Sequence, residues 1–202
     1  IAGPMTGAGI AAKALQALPA LVAAGDWPAA ERLLRRAAAA KGAPAPVFYN
    51  LAKVLEAAGK GAQAGTWLRR AVERAPDYAV AWFELGRWML ETGDLPGAAE
   101  AFARAAAADP GDADAWRNLG RLALRLGQWQ RAAEAWARLG PGDPEAAAGA
   151  YRAAAELGQA GPAETRALLE AHPGPASLQA VTHAGRGHLP FVLPAGGAQP
   201  RR

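Results

Sequence analysis

GRWMLETGDLPGAAEAFARAAAADP, residues 86–110, is mostly alanine, yet its few other residues sit where a helical hairpin needs them. Gly93 is placed to end a first helix in the left-handed conformation that closes a turn. Asp94 can cap the next helix, and Pro96 fits its first turn. Ala98 is small enough for two helices to cross closely. Phe102 is expected to fill the space between successive units. Asp109-Pro110 stops the second helix, because proline cannot continue it. The alanines favour helix and permit tight packing.

The same pattern returns up and down the chain. Gly25, Gly59, Gly93 and Gly127 are spaced 34 residues apart. Ala30, Ala64, Ala98 and Ala132 follow in step, then Leu34, Leu68, Phe102 and Trp136, then Ala37, Ala71, Ala105 and Leu139. Pro76, Pro110 and Pro144 close three units. Phe48/Leu51/Ala52, Trp82/Leu85/Gly86 and Trp116/Leu119/Gly120 precede the last three glycines. A fixed period of this length marks stacked supersecondary units, each unable to bury its own apolar face alone.

This pattern resembles the tetratricopeptide repeat (TPR) family, W-x2-L-G-x2-Y…A-x3-F-x2-A…P. WFELGRWM…AAEAFARAAAADP, residues 82–110, matches it at nearly every position, with Met89 in place of the tyrosine. The resemblance implies an all-α fold, a right-handed superhelix of about five helical hairpins. The repeats fall at 11–44, 45–78, 79–112 and 113–146. A degenerate fifth spans 144–175, with Gly158 only 31 residues after Gly127. Its first helix or turn is expected to be short. Residues 1–10 are expected to be a flexible N-terminus, with Met5 the expected natural start. Pro19 falls within a first helix and should kink it or begin a new one.

Composition narrows the function. Of 202 residues 51% are hydrophobic, enough for a sizeable core, with seven tryptophans supplying bulk that alanine cannot. The net charge of +4 is spread without a basic run, so a nucleic-acid tail is not indicated. Cysteine is absent, which excludes disulfides and thiolate metal sites. GIAAKALQALPALVAAG, residues 9–25, lacks a basic leader and keeps the repeat register, so it reads as structure rather than a signal peptide. No run of apolar residues is long enough to span a membrane, and a cytoplasmic location is expected.

No catalytic constellation is visible. Ser177 is the only serine, and His172, His183 and His188 lack the spacing of a zinc-binding helix pair. The expectation is a non-enzyme without cofactor or metal.

The resemblance places repeat positions 2, 5, 6, 9, 12 and 13 on a concave groove. Position 5 supplies Tyr49, Phe83 and Arg117, and position 6 supplies Asn50, Glu84 and Asn118. Position 9 supplies Lys53, Arg87 and Arg121, with Arg152 equivalent in the fifth repeat and Arg125 at position 13 of the fourth. Cations therefore recur in four consecutive repeats. Guanidinium forks suit carboxylates or phosphates, and asparagine suits an extended peptide backbone. The family's carboxylate clamp needs Asn at position 9 and Lys at position 5, and this chain has neither. Trp88 is expected to pack between hairpins.

The expected function is a protein-interaction scaffold holding an extended or acidic peptide in the groove. A regulatory segment of a larger bacterial enzyme and self-assembly into homo-oligomers stay open, and a nucleic-acid partner is not expected. Residues 176–184 should form a capping helix. The Gly/Pro-rich tail at 185–202, with HLPFVLP, is expected to be extended or disordered.

Overall fold

The computed structural model describes residues 6–140 and 142–184. The expectations for Met5, for His188 and for the HLPFVLP tail lie outside the described residues. Eleven α-helices and one 3-10 turn account for the described chain, which contains no strand. They run α1 (Gly7–Ala23), α2 (Trp27–Ala38), α3 (Ala45–Ala57), a 3-10 turn (Gly61–Gln63), α4 (Ala64–Arg74), α5 (Ala79–Glu91) and α6 (Leu95–Ala108). Next come α7 (Ala113–Arg125), α8 (Trp129–Ala137), α9 (Pro144–Glu156), α10 (Pro162–Ala171) and α11 (Pro175–His183). The last is the capping helix expected at 176–184.

The hairpin turns follow the sequence logic. Gly25, Gly59, Gly93 and Gly127 take φ of +67°, +74°, +85° and +69°, a region that side chains with a Cβ disfavour. Asp94 Oδ1 accepts from the Gly97 amide at 2.9 Å, capping α6, and Asp26 caps α2 through the Ala29 amide at 3.0 Å. Asp112 and Asp143 cap α7 and α9 in the same way.

The helices group into two compact units, divided between Leu126 and Gly127 in the turn from α7 to α8. The array expected over 11–175 spans both units. In the first, one cluster of buried side chains joins α1 to α3 through Leu18, Leu34, Leu51 and Leu55. A second joins α3 to α6 through Leu68, Val72, Leu85 and Ala101. Each core is shared by neighbouring hairpins, and full burial of a leucine contributes about 1.5–3 kcal/mol. In the second unit α9 packs against α8 and α11, and much less against α10.

Three expectations need correction. The first helix begins at Gly7, capped by Thr6, so residues 7–10 are helical rather than flexible. Gly7 is needed there because an added Cβ would clash with the Lys41 carbonyl. Pro19 does not start a new helix. It lies inside α1 with its ring exposed, where solvent can replace the hydrogen bond it cannot donate. The shortening near the fifth repeat falls on α8, nine residues long, while α9 has the full thirteen. Within its own hairpin, Phe102 packs edge-on to Phe83 with centroids 5.3 Å apart and against Gly86.

Candidate functional site

The first helices α3 and α5 carry the densest polar cluster of the first unit. On α5, Val80, Phe83, Glu84, Arg87, Leu90 and Glu91 recur at three- and four-residue steps, so they form one stripe. On α3, Tyr49, Asn50, Lys53 and Glu56 do the same. Lys53 Nζ reaches across to Glu84 Oε2 at 2.8 Å and also pairs with Glu56. Arg87 Nε bonds the same Glu84 oxygen at 3.1 Å, and its other nitrogens lie 3.7 Å from Glu56 and 3.8 Å from Glu91. Position 9 of one repeat thus meets position 6 of the next, as the repeat register implies.

This network sets the local electrostatics: Lys53 and Arg87 are offset by Glu56, Glu84 and Glu91. Burial alone would lower the Lys53 ammonium. Its hydrogen bonds to the Glu56 and Glu84 carboxylates overcome that and hold it above the ordinary lysine value. Burial likewise works against the Arg87 charge, and Glu84 outweighs it. The Tyr49 hydroxyl is raised by burial and then by the neighbouring Glu84 charge.

The aromatic and amide residues of the stripe are also engaged. Tyr49 tilts against Tyr78 with centroids 5.5 Å apart. Phe83 is half-buried, packed on Phe102 and on the Ala105, Ala106 and Ala115 cluster. Asn50 Nδ2 donates to the Pro46 carbonyl at 2.7 Å, one turn back on its own helix. On α7, Arg117 pairs with Asp114 at 2.7 Å, Asn118 is half-buried, and Arg121 and Arg125 are exposed. Arg152 lies in the second unit on α9, where its Nε is buried without an acceptor among the described residues.

Two further groove residues, Val80 and Leu90, were not singled out by the sequence reading. They are 50% and 38% exposed, large apolar side chains left uncovered at either end of the α5 stripe. Their positions, 2 and 12 of the third repeat, are groove positions, and their apolar character at those positions was the available signal. Trp88, by contrast, is a packing residue: it lies over Gly65, and its Nε1 donates to the Gly61 carbonyl at 3.0 Å.

No described cluster of His, Asp or Glu could hold a metal ion, and no described helix is long and apolar enough to cross a membrane.

Comparison with known proteins agrees with this architecture. Two tetratricopeptide repeat family models match, over residues 21–87 and 83–144. Among solved structures, the TPR protein YrrB, described as having an unusual peptide-binding site, is 27% identical with a TM-score of 0.52. The match covers 63% of this chain and 66% of YrrB. A crystal structure of MamA matches at 20% identity and TM-score 0.63, covering 89% of this chain and 96% of that one. PilF of Pseudomonas aeruginosa matches at 18% identity and TM-score 0.55, covering 87% and 82%. These last two share the fold. No curated protein sequence gives a significant match. The repeat period, the capped helical hairpins and the two family matches lead to one conclusion: the chain belongs to the tetratricopeptide repeat family.

Proposed function

We propose that this protein is a non-catalytic protein-interaction scaffold whose α3–α5–α7 face binds an extended polypeptide segment. The observation that carries this reading is the α5 stripe, where exposed Val80 and Leu90 flank the Lys53–Glu84–Arg87 network. Ten residues of helix separate the two apolar groups by about 15 Å. That distance corresponds to about four or five residues of extended chain, at 3.2–3.4 Å per residue. A fitting partner has two apolar side chains at that spacing and polar groups between them. Lys53 and Arg87 can donate to its carbonyls or carboxylates, while Glu56 and Glu84 can accept from its amides. The internal charge balance makes an extended segment of mixed polarity a better fit than a strongly acidic one. Exposed Arg125 offers a place for a carboxylate at one end. The peptide-binding site named for YrrB supports the same use of the fold.

The test is selection of peptides from a random display library on the purified protein. Selected peptides should bind Val80→Ser/Leu90→Ser at least about tenfold more weakly, because each lost apolar anchor is worth about 1.5 kcal/mol or more when fully buried. Unchanged affinity for peptides selected on the wild type would refute the reading. The variant's helicity and melting temperature, expected to match the wild type, verify its fold.

A further inference from the structure

The chain's excess positive charge gathers on the second helices of the first two repeats, away from the α3–α5 stripe. Arg32, Arg35 and Arg36 on α2, Lys60 just before the 3-10 turn, and Arg69, Arg70 and Arg74 on α4 are seven cations against two carboxylates, Glu31 and Glu73. That balance of +5 exceeds the net charge of +4 of the entire chain. The two helices present this charge together. Lys60 Nζ crosses to Glu31 at 2.8 Å, and Arg35 bonds Glu31 at 2.8 Å and Gln63 at 3.0 Å. Glu31 is thereby used up. Arg32, Arg36, Arg69 and Arg70 are exposed and have no carboxylate partner among the described residues.

Two indoles hold part of this surface in place. The Arg35 and Arg70 guanidiniums sit 5.6 Å and 4.8 Å from the Trp67 ring centroid, and Arg69 sits 5.0 Å from that of Trp88. A cation–π contact engages the face of the guanidinium and leaves its edge donors for a carboxylate. Ordering these long side chains in advance lowers the entropy cost of binding.

We infer that the α2–α4 surface docks an acidic polypeptide segment, at a site separate from the α3–α5 groove. Charge complementarity selects an anionic partner. A lipid surface fits poorly: the large exposed apolar residues, Val22, Val80, Leu90, Leu157 and Leu178, all lie off α2 and α4, so nothing there would insert. A single-stranded nucleic acid needs open aromatic faces for its bases. Trp67 is instead stacked with Phe48, centroids 6.3 Å apart, and covered by two arginines, while Trp88 lies on Gly65 beneath Arg69. Discrete carboxylates on a flexible chain can also avoid Glu73, which a continuous phosphate backbone would meet.

The experiment measures binding of fluorescein-labelled decaglutamate to the full chain by anisotropy at low salt. Wild type should bind, with affinity falling steeply as salt rises. Arg36→Glu/Arg70→Glu should weaken binding by about tenfold or more. Arg32→Glu/Arg36→Glu, which leaves both indole contacts untouched, should do the same and serves if the first variant folds poorly. Val80→Ser/Leu90→Ser should bind decaglutamate as wild type does, so this surface and the groove can fail independently. Absence of wild-type binding, or undiminished binding by the α2 variant, overturns the inference. So does tighter binding of decathymidylate, or of phosphatidylserine vesicles, than of decaglutamate.

Discussion

Lys53 Nζ on α3 lies 2.8 Å from Glu84 Oε2 on α5, joining two successive repeats across the face that the groove reading concerns. The Lys53 side chain is 34% exposed and that of Glu84 15%, so the pair is only partly desolvated. A double-mutant cycle of Lys53→Ala and Glu84→Ala in urea should give a coupling of about 1 kcal/mol or less. Arg87→Glu should cost more than Arg87→Ala, because it sets a fourth carboxylate beside Glu56, Glu84 and Glu91. Equal stabilities of the two Arg87 variants would show that the network carries no electrostatic weight.

Gly65 is held to its identity by Trp88. An added Cβ would lie 2.6 Å from the indole, and the ring is tied in place by its bond to the Gly61 carbonyl. Gly65→Ala should therefore destabilise by about 1–3 kcal/mol, despite the better helix propensity of alanine. Gly149→Ala would run into the Trp136 ring and should behave alike. A stability equal to wild type in denaturant melts would contradict both packing arrangements.

The hairpin boundaries were legible because each rests on a local rule: a left-handed glycine, an aspartate cap, a stopping proline. The Lys53–Glu84 pair was not, because it joins residues 31 apart whose reach depends on the stacking of two helices. The packing of the stripe's aromatic residues was hidden for a related reason. Position alone puts Phe83 on the groove, but Phe102 and the small alanines of α6 leave room that draws its ring into the packing. The 31-residue step from Gly127 to Gly158 disclosed a deletion without saying which helix lost the turn. Asp143 caps α9 at its usual place, which leaves α8 as the shortened element.

One repeat-to-repeat bond was present in the sequence as two unconnected motif positions. Trp82 Nε1 donates to the Pro76 carbonyl at 2.8 Å, and Trp116 Nε1 to that of Pro110 at 3.0 Å. The motif tryptophan thus fastens the turn whose proline ended the previous repeat. Trp82→Phe and Trp116→Phe should each cost about 1 kcal/mol, and a melting temperature unchanged in both would remove this role.

Glu31 gives the protein an acid-sensitive contact. Hydrogen bonds from Lys60 and then Arg35 hold its carboxyl below the ordinary glutamate value. A lowered folded-state value means the unfolded chain binds more protons in that window. The stabilisation is therefore present at neutral pH and lost as pH falls through the folded value. Glu31→Gln should be less stable than wild type at pH 7 by about 1–2 kcal/mol, with the gap closing as pH drops below about 4. A gap independent of pH between 7 and 3 would show that the Glu31 charge contributes nothing.

The groove reading is tested most directly by NMR of side-chain methyl and aromatic signals during titration with a library-selected peptide. The account predicts that the largest shifts fall on Val80, Leu90 and Tyr49, with smaller ones on Leu124 of α7, and that signals of Leu33 and Trp67 at the α2–α4 surface stay in place. Shifts concentrated on α2 and α4, or on Leu178 of α11, with Val80 and Leu90 unmoved, would contradict it.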